Sequence, residues 1–260
     1  MKILNKEVNV SDFIPPVLVR PLKRIKSFVE GTQDKNDDMP QQSFISPALR
    51  SYSQFNEDLL IDLLFGLKQN GFYLDIGAND PSFNNNMKRF YDKGWSGINI
   101  EPELNSIKKF CENRTRDINL NIGVGPVRGM LTFYQVVGDS TLSSFNVNIA
   151  KKMAAKFGLT IEEIAITVLR LIDVFEQYVK DRHVDFMSVD AEGLDLEILQ
   201  SNDWDRFRPS VIMVEIDNQY HQILEFMNHC NYMLVFNNYH NGIFIDKGTT
   251  EKYLSDIVAN

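Results

Sequence analysis

Apolar residues along the chain fall into short runs of strand formers separated by longer stretches of helical period, and that alternation predicts an α/β protein. Phe72, Tyr73, Leu74 and Ile76 form the clearest run, broken by Asp75 and ending in Gly77-Ala78-Asn79-Asp80-Pro81, which reads as a buried parallel strand entering a tight turn. A helix over Asn84 to Tyr91 follows, with Gly94 in the place of a left-handed C-terminal cap. Gly97 to Pro102 is the next strand, Leu104 to Asn113 a helix, and Ile118 to Val124 a third strand. Met130 to Val137 alternates as an additional strand, paired back through the Gly125-Pro126 turn region.

Downstream, Asn146 to Phe157 reads as a helix stopped by Gly158, and Ile166 to Leu171 as an apolar strand. Asp173 to Glu176 reads as a capping box that opens a helix over Val174 to Lys180. Strands at Val184 to Val189 and Val211 to Ile216 flank a helix over Leu194 to Gln200. Tyr232 to Phe236 and Gly242 to Ile245 form a hairpin by the turn chemistry of Asn237 to Asn241. Parallel βαβ units that finish in an antiparallel hairpin predict one Rossmann-like domain with a mostly parallel seven-stranded sheet.

Ahead of this frame, Tyr52 to Leu67 starts as a polar loop and continues as an amphipathic helix with Leu59, Leu60, Leu63, Leu64 and Leu67 on one side, Ser53 serving as its cap. Residues 1–48 differ from the rest and read as an N-terminal extension, which leaves 49–260 as the domain. Leu18, Leu22, Ile25 and Val29 share a helical face flanked by Arg20, Lys23, Arg24 and Lys26, although Pro21 limits the helix to short pieces. Two uses fit such an arm: peripheral contact with an anionic membrane surface, or packing on its own domain or on a second copy in a homo-oligomer. Gly31 to Pro47 is polar, aperiodic and reads as a linker.

A chain of 260 residues with 43% hydrophobic content can bury one substantial core. Its net charge of −8 argues against a nucleic-acid partner, which normally shows as a basic surface. Cys111 and Cys230 are only two and far apart, so they read as reduced buried thiols rather than a disulfide or zinc site. No apolar run approaches the ~18 residues that cross a bilayer and no signal-peptide core is visible, which predicts a cytoplasmic protein.

The turn after the first strand carries the chemistry. Strand, glycine turn and helix start make a nucleotide-type corner, but the second and third glycines of a dinucleotide fingerprint are missing, which disfavours a pyrophosphate and a nicotinamide-dependent oxidoreductase. Asp75 before the turn suits a ligand with a cationic group, such as an amino acid's ammonium. Glu101 ends the next strand near the ~20-residue interval at which a carboxylate meets ribose hydroxyls in such units.

YSQFNEDLL, GFYLDIGANDP, GWSGINIEP, INLNIGVG and SVDAEG, in this order, resemble the FkbM-type family of S-adenosylmethionine-dependent methyltransferases, many of which methylate sugar hydroxyls. The resemblance runs from about Tyr52 to Asp246 and implies a Rossmann-like class I methyltransferase domain with S-adenosyl-L-methionine as cofactor. It places Asp75, Gly77 and Asn79 around the methionine part, Glu101 on the ribose, and Tyr52 and Gln54 in a segment that closes over the ligand. Asn121, at the end of the third strand, could reach the adenine, or serve only as a turn residue. The sequence departs from the family pattern at Asp80-Pro81, where a second glycine is usual, and at Met187-Ser188, where many members carry an aliphatic-Lys pair.

Asp190 and Glu192 leave the fourth strand beside the Gly77 turn, on the face where such sheets bind ligands. A sugar hydroxyl needs its proton removed, so Asp190 or Glu192 is the expected base, with His221 or His240 as less favoured candidates near the substrate. Asp190 would also border the cofactor. The hydroxyl-rich stretch from Gly138 to Phe145, with Ser140 and Ser143, is the expected acceptor-binding loop. Asp190, Glu192, Glu215 and Asp217 come from neighbouring strand ends, and such an oxygen-rich set can hold Mg²⁺. The expected function is O-methylation of a sugar in a cell-surface or secreted glycan, or in a nucleotide- or lipid-linked precursor. The alternatives are a cofactor-binding protein that no longer reacts and a methyltransferase with a non-sugar acceptor.

Overall fold

The structure, a computed structural model, describes residues 50–217 and 219–249. The predicted arm and linker of residues 1–48 therefore lie outside the described residues. The apolar runs form β1 (Phe72–Ile76), β2 (Ser96–Ile100), β3 (Ile118–Leu120), β7 (Phe186–Val189), β8 (Val211–Glu215), β9 (Tyr232–Asn237) and β10 (Asn241–Asp246). They assemble into one seven-stranded sheet in the order β3-β2-β1-β7-β8-β10-β9. The first five are parallel neighbours, and β10 runs antiparallel to both β8 and β9, as the pattern predicts.

Strand periodicity divides the core into two layers. Phe72, Leu74 and Ile76 of β1 join Ile98, Ile100, Val189 and Val214 in one cluster, packed by Val174, Phe175, Ile198 and Ile223. Tyr73 points the other way and packs with Phe186 and Met213 against Ile61, Phe90 and Trp95. Helices α1 (Glu57–Leu64), α2 (Lys88–Asp92), α3 (Leu104–Asn113), α4 (Val147–Phe157), α5 (Leu171–Val174), α6 (Asp195–Gln200) and α7 (Tyr220–His229) cover and connect the strands. Among the described residues no helix is long and apolar enough to cross a membrane.

Several local expectations are corrected. Ile118 to Val124 is not one strand: β3 stops at Leu120, and Gly123–Val124 forms β4 in a second sheet of order β4-β6-β5. In that sheet β5 (Gly129–Val137) pairs antiparallel with β6 (Thr160–Leu169), not back onto the third strand. The reason is packing: Val136 of β5 makes a small core with Ala150 and Ala154 of α4, which carries the chain round to β6. Asp173 stands at the third position of its helix rather than at its start, with Arg170 as N-cap and Asp173 accepting the Arg170 N–H at 3.0 Å. Asn56, not Ser53, stands at the N-cap position of α1, left-handed and without a side-chain cap bond. Ser53 still serves the first turn as expected: its hydroxyl accepts the Asp58 N–H at 3.2 Å and donates to the Asp58 carboxylate at 3.0 Å. Cys111 is exposed rather than buried.

Candidate active site

A cavity of about 230 Å³ opens at the C-terminal ends of β1, β2, β7 and β8. Gln54, Asp75, Gly77, Asn79, Glu101 and Asp190 of the expected cofactor set line it, and so do Glu192, Glu215, Ser140 and Ser143.

The floor is the turn after β1. Gly77 and Ala78 donate their N–H groups to the Ile100 carbonyl at 3.0 and 3.1 Å, which ties the turn to the end of β2. Gly77 has φ +77°, a conformation that side chains rarely adopt. Asn79, also left-handed at φ 53°, donates its N–H to one Glu101 oxygen at 2.9 Å, and the Glu103 N–H donates to the other at 2.8 Å. Glu101 thus fixes the spacing between the two loops while keeping lone pairs for a ligand. Burial raises its pKa to about 7, against the pull of those two N–H groups.

Asp75 sits on the Tyr73 side of β1, and burial likewise raises it to about 7, more than Arg114 and Asn85 lower it. Arg114, 1% exposed, braces this wall from behind. It donates to the Pro81 carbonyl at 2.6 Å, to Asn85 Oδ1 at 2.8 Å and to the Tyr73 hydroxyl at 3.1 Å. The Asn85 amide in turn reaches Asp75 at 3.4 Å and the Ala78 carbonyl at 3.3 Å.

The opposite wall follows β7. The Asp190 N–H bonds the Ile76 carbonyl at 3.0 Å, continuing the β1–β7 pairing to the cavity edge. Glu192 and Gly193 both have positive φ, at 51° and 92°. Asp195 holds this bend by accepting the N–H of Ala191 at 2.9 Å and of Gly193 at 3.2 Å. Asp190 has accessible surface because it faces the cavity, yet the surrounding protein still desolvates it and raises its pKa to about 6, with Asp217 adding repulsion. Burial followed by repulsion from Asp190 raises Glu192 to about 8, Asp195 to about 7 and Glu215 to about 9. These carboxyls resist joint ionisation, so the wall is poised to take up a cation. Among the described residues, no three acidic, histidine or cysteine side chains are grouped so as to hold a metal ion, so the Mg²⁺ expectation for Asp190 and Glu215 is not supported.

Four expected residues stand away from the lining. The Tyr52 ring lies between the cationic groups of Arg50 and Lys88, each 5.0 Å from its centre, and only its carbonyl reaches inward, to the Asn85 N–H at 3.0 Å. Asn121 spends its amide on the carbonyls of Glu101 and Pro102, at 3.0 and 2.9 Å, as a strand-end brace. His221 packs edge-on against Tyr220, and His240 stacks on Phe55. Sequence reasoning missed Asn85, Arg114 and Asp195. Asp195 had a signal, because a carboxylate two residues after Gly193 is placed to bond that glycine's N–H; the Arg114 contacts leave no local trace.

The methyltransferase FkbM domain matches residues 75–234, more than half of the chain. Among solved structures the chain is similar to methyltransferase FkbM from Methylobacillus flagellatus KT, at 16% identity and a TM-score of 0.43, over 75% of this chain and 48% of that one. It is also similar to precorrin 8w decarboxylase from Methanobacterium thermoautotrophicum, at 13% identity and a TM-score of 0.35, over 72% and 77% of the two chains. The chain thus spans about half the length of the first of these proteins. No curated protein matches it in sequence.

Proposed function

Because this chain belongs to the FkbM methyltransferase family, we propose that it transfers the methyl group of S-adenosylmethionine to a sugar hydroxyl of a cell-surface or secreted glycan or its precursor. The observation that carries the reading is the acidic cavity built on Gly77. Its wall offers Asp75, Glu101 and Asp190 to a cationic ligand at the ligand-binding edge of the sheet.

The residues present fit that donor. The lining is rich in carboxyls whose pKa values stand above their ordinary range, and binding a positive charge relieves the cost of ionising them. In this reading Asp75 and the Asn79 turn hold the ammonium, and Glu101 takes the ribose hydroxyls with the lone pairs its N–H contacts leave. The bound donor supplies a methyl group on a positively charged sulfur. Asp190 or Glu192 would accept the acceptor hydroxyl's proton as the C–O bond forms and the methyl–sulfur bond breaks with its electron pair going to sulfur, an assistance of roughly 10²- to 10⁴-fold. Side chains that fix the hydroxyl within about 3 to 3.5 Å of the methyl carbon add the advantage of proximity. Ser140 stands ready for positioning, since its hydroxyl reaches Asn79 Oδ1 at 3.0 Å and links the acceptor loop to the donor turn.

Calorimetry with S-adenosylhomocysteine and NAD tests the donor site, with binding of the first and not the second expected. Transfer of a labelled methyl group to a panel of glycosides and nucleotide-sugars tests the reaction. Donor binding without transfer to any of them would leave a non-catalytic cofactor protein or a methyltransferase with a non-sugar acceptor.

A further inference from the structure

Beside the cavity, the ring of Phe55 lies flat on the imidazole of His240, with centres 5.0 Å apart and planes within 4°. Neither is buried: Phe55 is 40% exposed and the His240 side chain 54%. The pair is nevertheless firmly held. Glu57, buried at 1% exposure, accepts the Phe55 N–H at 2.9 Å with one oxygen. Its other oxygen accepts the side-chain amides of Asn238 at 2.9 Å and Asn241 at 2.8 Å, which clamps the segment before α1 to the β9–β10 turn. His240 Nδ1 stands 2.9 Å from Asp217 Oδ1, and its carbonyl accepts the Ile216 N–H at 2.7 Å. A buried carboxylate thus fixes the backbone beside an aromatic ring that stays 40% exposed and stacks on His240.

Neither ring lines the cavity, but close chain neighbours of the pair do. Phe55 follows Gln54, and Asp217 stands two residues beyond Glu215, both of which line the cavity. The Asp217 charge is close enough to raise the pKa of Asp190, Glu192 and Glu215.

The lining then limits what can enter. Side-chain amides of Gln54, Asn84 and Asn86 and hydroxyls of Ser140 and Thr141 suit a polyhydroxylated guest. Asp75, Glu101, Asp190, Glu192 and Glu215 line the same space, and among the described residues no Lys, Arg or His does. Unlike the donor's carboxylate, which carries its own ammonium beside it, an unaccompanied carboxylate or phosphate on the acceptor would add to that negative charge with no described cation in the lining to pair with it.

We propose that the Phe55–His240 pair is the acceptor platform, and that the unit it holds is an electrically neutral sugar ring whose C–H face packs on Phe55 while any anionic carrier stays outside the cavity. The inference rests on the sugar O-methyltransferase reading and adds to it the location and the charge of the acceptor.

Saturation-transfer NMR on the full chain with S-adenosylhomocysteine bound tests it, using methyl glucoside and methyl rhamnoside against methyl glucuronide. The neutral glycosides receive saturation and the glucuronide does not. Phe55→Ala weakens neutral-glycoside binding by about tenfold, Phe55→Tyr retains it, and both variants keep the wild-type affinity for S-adenosylhomocysteine in calorimetry. Equal binding of the glucuronide, no effect of Phe55→Ala, or no binding of either neutral glycoside overturns the proposal while leaving the donor site intact. Failure of S-adenosylhomocysteine itself to bind the wild-type chain overturns the methyltransferase reading, and this inference with it.

Discussion

The carbonyl oxygen of Asp190 lies 1.7 Å from the point where a β-carbon on Gly77 would sit. The ends of β1 and β7 therefore close on each other with no room for any side chain, and the φ of +77° disfavours one independently. Gly77→Ala must push the two strand ends apart. We expect a loss of about 1 to 3 kcal/mol in urea unfolding and no measurable S-adenosylhomocysteine binding in calorimetry.

Glu101 serves two loops at once. Glu101→Ala leaves the N–H groups of Asn79 and Glu103 without their carboxylate partner, which costs about 1 to 3 kcal/mol of stability. Donor-product affinity falls more than tenfold with it. Glu101→Gln keeps one acceptor oxygen and recovers part of the stability but little of the affinity, a split that thermal melts and calorimetry on the two variants resolve.

The base assignment separates by pH. A base works ionised, so kcat/KM rises with pH through the pKa of whichever carboxyl takes the proton: about 6 for Asp190 and about 8 for Glu192 in the free protein. Asp190→Asn or Glu192→Gln lowers turnover by roughly 10²- to 10⁴-fold for the true base and abolishes that limb of the profile. A midpoint near 6 with full activity in Glu192→Gln assigns Asp190.

The acidic wall also sets a stability trend with the opposite sign to that of an ordinary salt-bridged carboxylate. Asp75, Glu101, Asp190, Glu192, Asp195 and Glu215 have folded-state pKa values of about 6 to about 9, above the ordinary 3.8 to 4.5. Between those limits the folded state binds more protons than the unfolded one, so stability falls as pH rises. Asp80 and Asp173, whose pKa values are lowered, lose their contribution only at more acidic pH. The ligand-free protein should melt at a lower temperature at pH 8.5 than at pH 5.5, and S-adenosylmethionine should shrink the difference. A higher melting temperature at pH 8.5 would show that the wall is not protonated as described.

How much of this was legible varied with the range of the interactions. Buried parallel strands write themselves locally, which is why Phe72–Ile76, Gly97–Ile100 and Phe186–Val189 were readable and, with them, the strand-end residues Asp75, Gly77, Glu101 and Asp190. Tyr52 falls outside the lining, and Asn121 takes the second of its two readings, a turn residue, because proximity in sequence to the cavity does not fix where a side chain points. Tyr52 turned to Arg50 and Lys88, and Asn121 to backbone carbonyls. Arg114 was invisible because its partners Pro81, Asn85 and Tyr73 lie 29 to 41 residues away. The β5–β6 pairing was missed because Glu162 and Glu163 interrupt the apolar alternation of β6 and leave only its second half conspicuous.

That β5–β6 ribbon leaves the main sheet after Asn121 and returns to it at Leu171, joined to itself at the base by Gly123 opposite Val168 and Val124 opposite Leu169. Between those points it supplies Phe133, Ser140, Ser143 and Phe145 to one side of the cavity, while Gly77 and Glu101 belong to the parallel sheet. The molecule is thereby modular at the scale of a single hairpin. Exchanging the ribbon for another of equal stem would reshape one side of the cavity without rebuilding the half that carries Gly77 and Glu101.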